Sequence, residues 1–246
     1  MRLTPHQKKQ FKLTIILLFG IPAVVFAVYK GVQYLLLANS DPSPKEIIVS
    51  NVTTNSLTIS WVTEKPVETF VIPVTAGVEG SPVPDKRGAG KRESHYVELK
   101  NLEPDMNYSF ILLCDGERYT EGQGGPYIFS TAPVGMDTPI PNPVHGSVSD
   151  SSTENVIVYI LFTNKSTYPV SALVPSSGNW IVDLSAFRSI EEKKITMSTD
   201  NTQLTLIAKK GLSKIAMLQG EYSELFSKDG KLLTVLSLNN QSQENF

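Results

Sequence analysis

Four cations in seven residues, Lys86-Arg-Gly-Ala-Gly-Lys-Arg92, are the densest local chemistry in this 246-residue chain. Two glycines loosen the run, and the surrounding sequence is net acidic, so Lys86, Arg87, Lys91 and Arg92 form a candidate dock for an anionic polymer or an acidic partner. The plainer reading is a solubilising loop, whose neutralisation is expected to leave folding unchanged. Nothing else converges on a reaction. The histidines are His6, His95 and His145, too few and too scattered for a histidine-rich zinc site, and each reads as an ordinary solvated or edge residue. There is no GxSxG elbow, no HExxH and no GxxxxGK[ST] phosphate cradle. Glycosidases need carboxylates across a sugar cleft, whereas Glu191, Glu192, Glu221 and Glu224 fall in polar, surface-like stretches. No catalytic, metal or cofactor residue is assigned, and the chain is expected not to be an enzyme. The sequons at Asn51, Asn107, Asn164 and Asn240 matter only in a glycosylating host.

The elements that must hold these residues are strands. From Lys45 onward the apolar period is two: Ile47 and Val49; Leu57, Ile59 and Trp61; Phe70, Ile72 and Val74; Val97 and Leu99; Tyr108, Phe110 and Leu112. Turn-forming residues separate the runs, and no helical period competes, which implies an antiparallel sandwich. Trp61 has the ring to fill the space between two sheets, and Tyr108 can bury its ring while its hydroxyl bonds an upstream backbone group.

Three separated motifs resemble the fibronectin type III family. Ile47 to Trp61 looks like its first two strands ending in the core tryptophan. Leu99-Lys-Asn-Leu102-Glu-Pro104-Asp-Met-Asn-Tyr108 matches its leucine, proline and tyrosine corner, and Tyr127 to Pro133 its closing strand. The resemblance covers about 43–133 and implies a structural core that includes Trp61, Leu102, Pro104 and Tyr108. Met106, where the family often has threonine, and the insert Val78 to Glu93 depart from it.

A three-proline connector, 134–143, leads to a second β-domain over 144–238. Its runs are Val144–Val148, Val156–Phe162, Pro169–Val174, Trp180–Leu184, Leu204–Ala208 and Leu232–Leu236, with Trp180 in the core. Val156–Phe162 is apolar on both faces and is expected to be a central strand buried on each side. Ser176-Ser-Gly-Asn179 reads as a hairpin turn and 185–190 as a short helical turn. The segment 142–236 resembles small transthyretin-like or carboxypeptidase-regulatory-like sandwiches, with an Ig-like sandwich as the other form.

Ahead of both lies a basic head, 1–12, and an apolar stretch, 13–38, followed by a linker at 39–44; the polar tail is 239–246. Arg2, Lys8, Lys9 and Lys12 outweigh Lys30, so the stretch is expected to be a transmembrane helix with its amino terminus cytoplasmic and both β-domains extracytoplasmic. The alternative is secretion after cleavage near Val25-Phe26-Ala27. The single cysteine, Cys114, excludes an intrachain disulfide, which fits a bacterial or archaeal envelope. Five of the 22 basic residues and none of the 24 acidic ones precede residue 39, leaving the outer part 17 against 24, a net of −7 that argues against nucleic acid. The expected fold is mainly β, one amino-terminal helix followed by two antiparallel sandwiches. The expected function is non-catalytic binding, adhesion or spacing at the cell surface, toward a protein or polysaccharide partner. The alternatives are an accessory subunit of a secretion, pilus or cell-wall assembly, and an accessory or remnant of an envelope hydrolase.

Overall fold

The computed structural model describes residue 30 and residues 41–122, 125–135 and 139–240. Of the segment read as a transmembrane helix, only Lys30, helical and exposed, is among them, so that expectation lies outside the described residues. Among the described residues no helix is long and apolar enough to cross a membrane. Residues Pro42–Phe246 form one compact unit, and it is almost entirely β.

In its first half, β1 (Lys45–Ser50), β2 (Leu57–Val67), β3 (Thr69–Thr75), β4 (Val78–Glu79), β5 (Val83–Pro84), β6 (Arg92–Leu99), β7 (Asn107–Cys114), β8 (Glu117–Tyr119) and β11 (Ile128–Ser130) build two sheets. One runs β1-β2-β6. The other runs β11-β7-β3-β4, with β5 on β3 and β8 on β7, while β9 (Glu121–Gly122) and β10 (Gly125–Pro126) pair only with each other. Leu57, Ile59, Trp61, Val97, Leu99, Tyr108, Phe110 and Leu112 meet between the sheets, as their alternation requires. In β3 the phase is the opposite of the one read from sequence. Val71 enters this core, while Phe70, Ile72 and Val74 stand outside it, because Phe70-Val-Ile-Pro-Val74 is apolar on both faces and periodicity alone cannot orient it. The insert 78–93 supplies β4 and β5, which extend the sheet from β3.

The Tyr108 ring is buried and its hydroxyl accepts a hydrogen bond from the Glu103 amide, 2.7 Å away. Leu102 packs half-buried against the core, but Pro104 is exposed in the turn beneath it; its role is to shape the corner, and its assignment to the core is corrected. Tyr108→Phe is expected to lower stability by about 1 kcal/mol by orphaning that amide, read as a shift in the urea midpoint at unchanged slope. An unshifted midpoint would show the corner bond to be dispensable.

In the second half, β12 (Pro143–Ser149), β15 (Asn179–Asp183) and β18 (Leu236–Ser237) form a sheet ordered β15-β12-β18. The larger sheet is β14-β13-β16-β17-β19, from β13 (Val156–Phe162), β14 (Val170–Leu173), β16 (Gln203–Lys210), β17 (Lys214–Glu221) and β19 (Asn239–Asn240). Val144, Val158, Ile160, Trp180, Val182, Leu204 and Leu206 fill the space between them. Gly146 lies under Trp180, where a Cβ would sit 2.6 Å from the indole, so the ring's depth in the core requires glycine. Three local readings change. The turn at 176–179 is not a hairpin, since β14 and β15 belong to different sheets. Of Leu232–Leu236 only Leu236 lies in a strand, and Leu233 and Val235 point to solvent. Residues 185–190 hold only the end of a 3-10 turn, Leu184–Ala186, while α1 (Tyr222–Leu225) is a single helical turn.

Candidate functional site at the seam between the sandwiches

Strands β1, β2 and β6 turn a second face outward, and its residues are small and hydroxylic: Ser50, Thr58, Ser60, Ser94 and Tyr96. All five are buried. What covers them is the outer face of the β14-β13-β16 sheet, whose Ile157, Tyr159, Leu173 and Ile207 form a separate cluster with Ile48 and Tyr96. Strand β13 is therefore buried on both faces because one faces its own core and the other faces the first sandwich.

Polar groups across this seam are paired. Ser60 and Tyr159 share a hydrogen bond at 2.8 Å, and Ser50 and Ser171 another at 2.7 Å. The Asn51 side chain binds the β14 backbone as a strand would, accepting from Ser171 N at 2.8 Å and donating to Ser171 O at 3.1 Å. Its own amide donates to Pro169 O at 3.0 Å. Tyr96 Oη donates to Ser171 O at 3.1 Å, and Gly211 N donates to Ser94 Oγ at 2.9 Å. Burial pushes the Tyr96 and Tyr159 hydroxyls up, so both stay neutral and available for hydrogen bonding.

Of the cation loop, the structure brings Lys86 and Arg87 to this seam. Arg87 grips Asp85 with two bonds of 2.8 Å, from Nε to Oδ1 and from Nη2 to Oδ2. It reaches across the seam to Asn155 Oδ1 at 2.8 Å, and also donates to Ser94 O at 2.6 Å. Asp85 further accepts from Tyr96 N at 2.9 Å, closing the free edge of β6. Burial pushes the Asp85 carboxyl up, but the Arg87 hydrogen bonds and charge outweigh it and hold it below the usual range. Lys86 pairs with Glu98 and lies over the Tyr96 ring. Lys91 and Arg92 lie elsewhere: Lys91 binds Asp115 at 2.8 Å, and Arg92 Nη1 donates to the Gly88 and Gly90 carbonyls. All four cations have internal partners, so the reading of an open anion dock on a loosened loop is corrected. The expectation that neutralising the four leaves folding unchanged is revised for Arg87, whose bonds to Asp85, Ser94 and Asn155 make its loss an expected destabilisation.

Two grooves flank the seam and meet at Lys86. One, of about 630 Å³, is lined by Lys86, Arg87, Glu154, Asn155, Leu173 and Pro175 among others. The other, of about 500 Å³, is lined by Asn51, Tyr96, Glu98, Leu173, Trp180 and Ile181 among others. Their mixed polar and apolar walls suit a segment of another macromolecule. Among the described residues no three His, Cys, Asp or Glu side chains gather as metal ligands.

His95 is not a solvated edge residue. It lies on the inner face of β6, 1% exposed, with its ring against Trp61 at 5.1 Å between centroids. Thr63 Oγ1 donates to Lys65 O and so accepts from Nε2 at 3.0 Å, which places the ring proton on Nε2. Nδ1 then accepts from Thr69 Oγ1 at 3.1 Å. His145 lies in β12, half-buried.

Residues 42–126 match the fibronectin type III domain model, a span that holds β1 to β10 of the first half. No curated protein matches the chain. Among solved structures, the sensor domain of the anti-sigma factor RsgI4 in Pseudobacteroides cellulosolvens is 18% identical over 38% of this chain and 94% of its own, with a TM-score of 0.27. The FN1-FN3 domains of chicken CNTN1 are 14% identical over 72% of this chain and 65% of theirs, at 0.28. A pullulanase from Anoxybacillus sp. LM18-11 is 10% identical over 78% of this chain and 28% of its own, at 0.20.

Proposed function

We propose that this chain, with its fibronectin type III domain, is a non-catalytic, single-pass membrane protein that holds a rigid pair of β-sandwiches outside the cytoplasm as a binding and spacing element of the cell envelope. The observation that carries this reading is the seam. A connector alone would leave two sandwiches to swing independently, whereas a buried face with paired hydroxyls and the Arg87–Asn155 bond across it favours a fixed geometry. Fixed geometry is what a spacer needs, and it keeps the grooves on either side of Lys86 in a constant shape for a protein or polysaccharide partner. The basic head and the apolar stretch 13–38 support anchorage, with the positive charge kept inside.

The test combines fractionation with protease shaving of intact cells. An intact amino terminus in the membrane fraction, with residues beyond about 42 removed by external protease, is the expected result. A soluble chain beginning near Val28 overturns anchorage and leaves a secreted binding protein. Purification in mild detergent then separates roles: stable membrane-protein companions identify an accessory subunit of an envelope assembly, and capture of envelope polymer by the outer part identifies a direct binder.

A further inference from the structure

Two sheet edges in this molecule are closed by dedicated groups, and the edge at β15 is left open among the described residues. Asp85, Lys86 and Arg87 cap the outer edge of β6, and Asn51 pairs with the outer edge of β14. Among the described residues strand β15 borders only β12. Val148 N donates to Gly178 O and Leu184 N to Asn142 O, which fixes the phase of the ladder: Trp180 and Val182 turn their backbone groups toward β12. The N–H and C=O groups of Asn179, Ile181 and Asp183 therefore point away from the sheet. Among the described residues these outward groups meet only the Ser177 hydroxyl, 3.4 Å from Asn179 N. The strand lacks two of the usual protections of an edge. Asn179-Trp-Ile-Val-Asp183 has no lysine and no proline, and Ile181 is 65% exposed.

We propose that β15 is a dimerisation edge, pairing antiparallel with β15 of a second copy about a two-fold axis through Ile181. The strand is self-complementary about that residue. Open backbone groups at 179, 181 and 183 are spaced symmetrically, so Ile181 exchanges two hydrogen bonds with its counterpart and Asn179 exchanges two with Asp183 of the other copy, six in all. The exposed Ile181 side chains then cover one another on the outer face. The Asp183 carboxylates do not oppose this, because each is turned back on its own chain to accept from Asn142 N at 2.8 Å and Ser185 N at 2.9 Å. The result is a continuous sheet across two molecules. It does not depend on membrane anchorage, although confinement to a membrane would raise the local concentration of copies.

The test is disulfide trapping of the full-length chain in mild detergent. In the proposed register the two Ile181 Cα atoms lie about 5.5 Å apart, within disulfide reach. The two Asn179 Cα atoms are about 14 Å apart, beyond it, since four residues separate them along the strand. Ile181→Cys is expected to form a covalent dimer at least tenfold faster than Asn179→Cys at equal concentration, although both sites are exposed on the same edge. Native Cys114 stays silent in both, being buried with its thiol pushed up to about 12. Ile181→Lys, read by light scattering, is expected to shift the chain to monomer while its far-ultraviolet circular dichroism stays that of wild type. Equal trapping at the two positions, or a wild-type chain that remains monomeric as concentration is raised, overturns the proposal, whether the edge is then free or holds a segment of another protein.

Discussion

Arg87→Met is expected to destabilise the protein by about 3–5 kcal/mol, more than the loss of any other member of the cation loop. Asp85 is 5% exposed, and two of its oxygen contacts come from the Arg87 guanidinium. Methionine fills the same volume but leaves that carboxylate buried without its cation, and it removes the donors to Ser94 O and Asn155 Oδ1. The consequences extend beyond the loop: Asp85 also holds Tyr96 N, and Tyr96 is the centre of the seam. Lys91→Met breaks an exposed pair with Asp115 and is expected to change stability by less than about 1 kcal/mol. The double variant Asp85→Asn, Arg87→Met removes both charges and should recover part of the loss, which is the signature of an uncompensated buried ion as opposed to lost packing. Urea denaturation of the four proteins decides the matter. A single variant within about 0.5 kcal/mol of wild type would return Arg87 to the surface charges.

How far the sequence foretold this arrangement depends on what each face touches. The inner face of the first sandwich was legible because Leu57, Ile59 and Trp61 alternate with polar residues, and burial followed the alternation. Its outer face carries the polar members of the same alternation, which a period of two does not mark for burial, yet Ser50, Thr58, Ser60 and Ser94 are buried. The clue was present in their type. A solvated sheet face usually carries lysine and glutamate, whereas these positions hold small hydroxyls able to pair at close approach, and β13 opposite them is apolar on both sides. Strand β17 gives a faint alternation, because its buried position is the small Ala216 while Met217 faces water. The Arg87–Asp85 clamp could not be anticipated from charge density, which cannot distinguish a solvated loop from one folded back on a carboxylate eleven residues from its other partner, Tyr96. His95 was legible in principle: it shares the inner face of β6 with Val97 and Leu99, and only its residue type argued for solvent.

That buried histidine should make the protein acid-labile well above the range in which carboxylates titrate. Burial is the main cause of the shift; Asp85 and Asp115 pull the pKa up, while Arg87 and Arg92 push it down, and the outcome is a value lowered from 6.5 to about 3. Because the folded value lies below the unfolded one, the unfolded chain takes up the proton first as pH falls. The contribution to stability is therefore complete above about pH 6.5 and is lost progressively toward pH 3. Between pH 7.5 and pH 5 this single group is expected to remove about 2 kcal/mol. The hydrogen bonds explain why relief is not available locally. Protonation puts a second N–H at Nδ1, opposite the Thr69 hydroxyl that now donates to it, while Nε2 already donates to Thr63 and Trp61 closes one face of the ring. His95→Gln keeps a donor and an acceptor on one side chain without a titratable proton. It is expected to be somewhat less stable at pH 7.5 but to lose little further at pH 5, so the difference in urea stability between the two pH values should shrink by about 2 kcal/mol relative to wild type. If the variant retains the full wild-type difference, His95 takes up its proton inside the fold without penalty, and the acid response belongs to other groups.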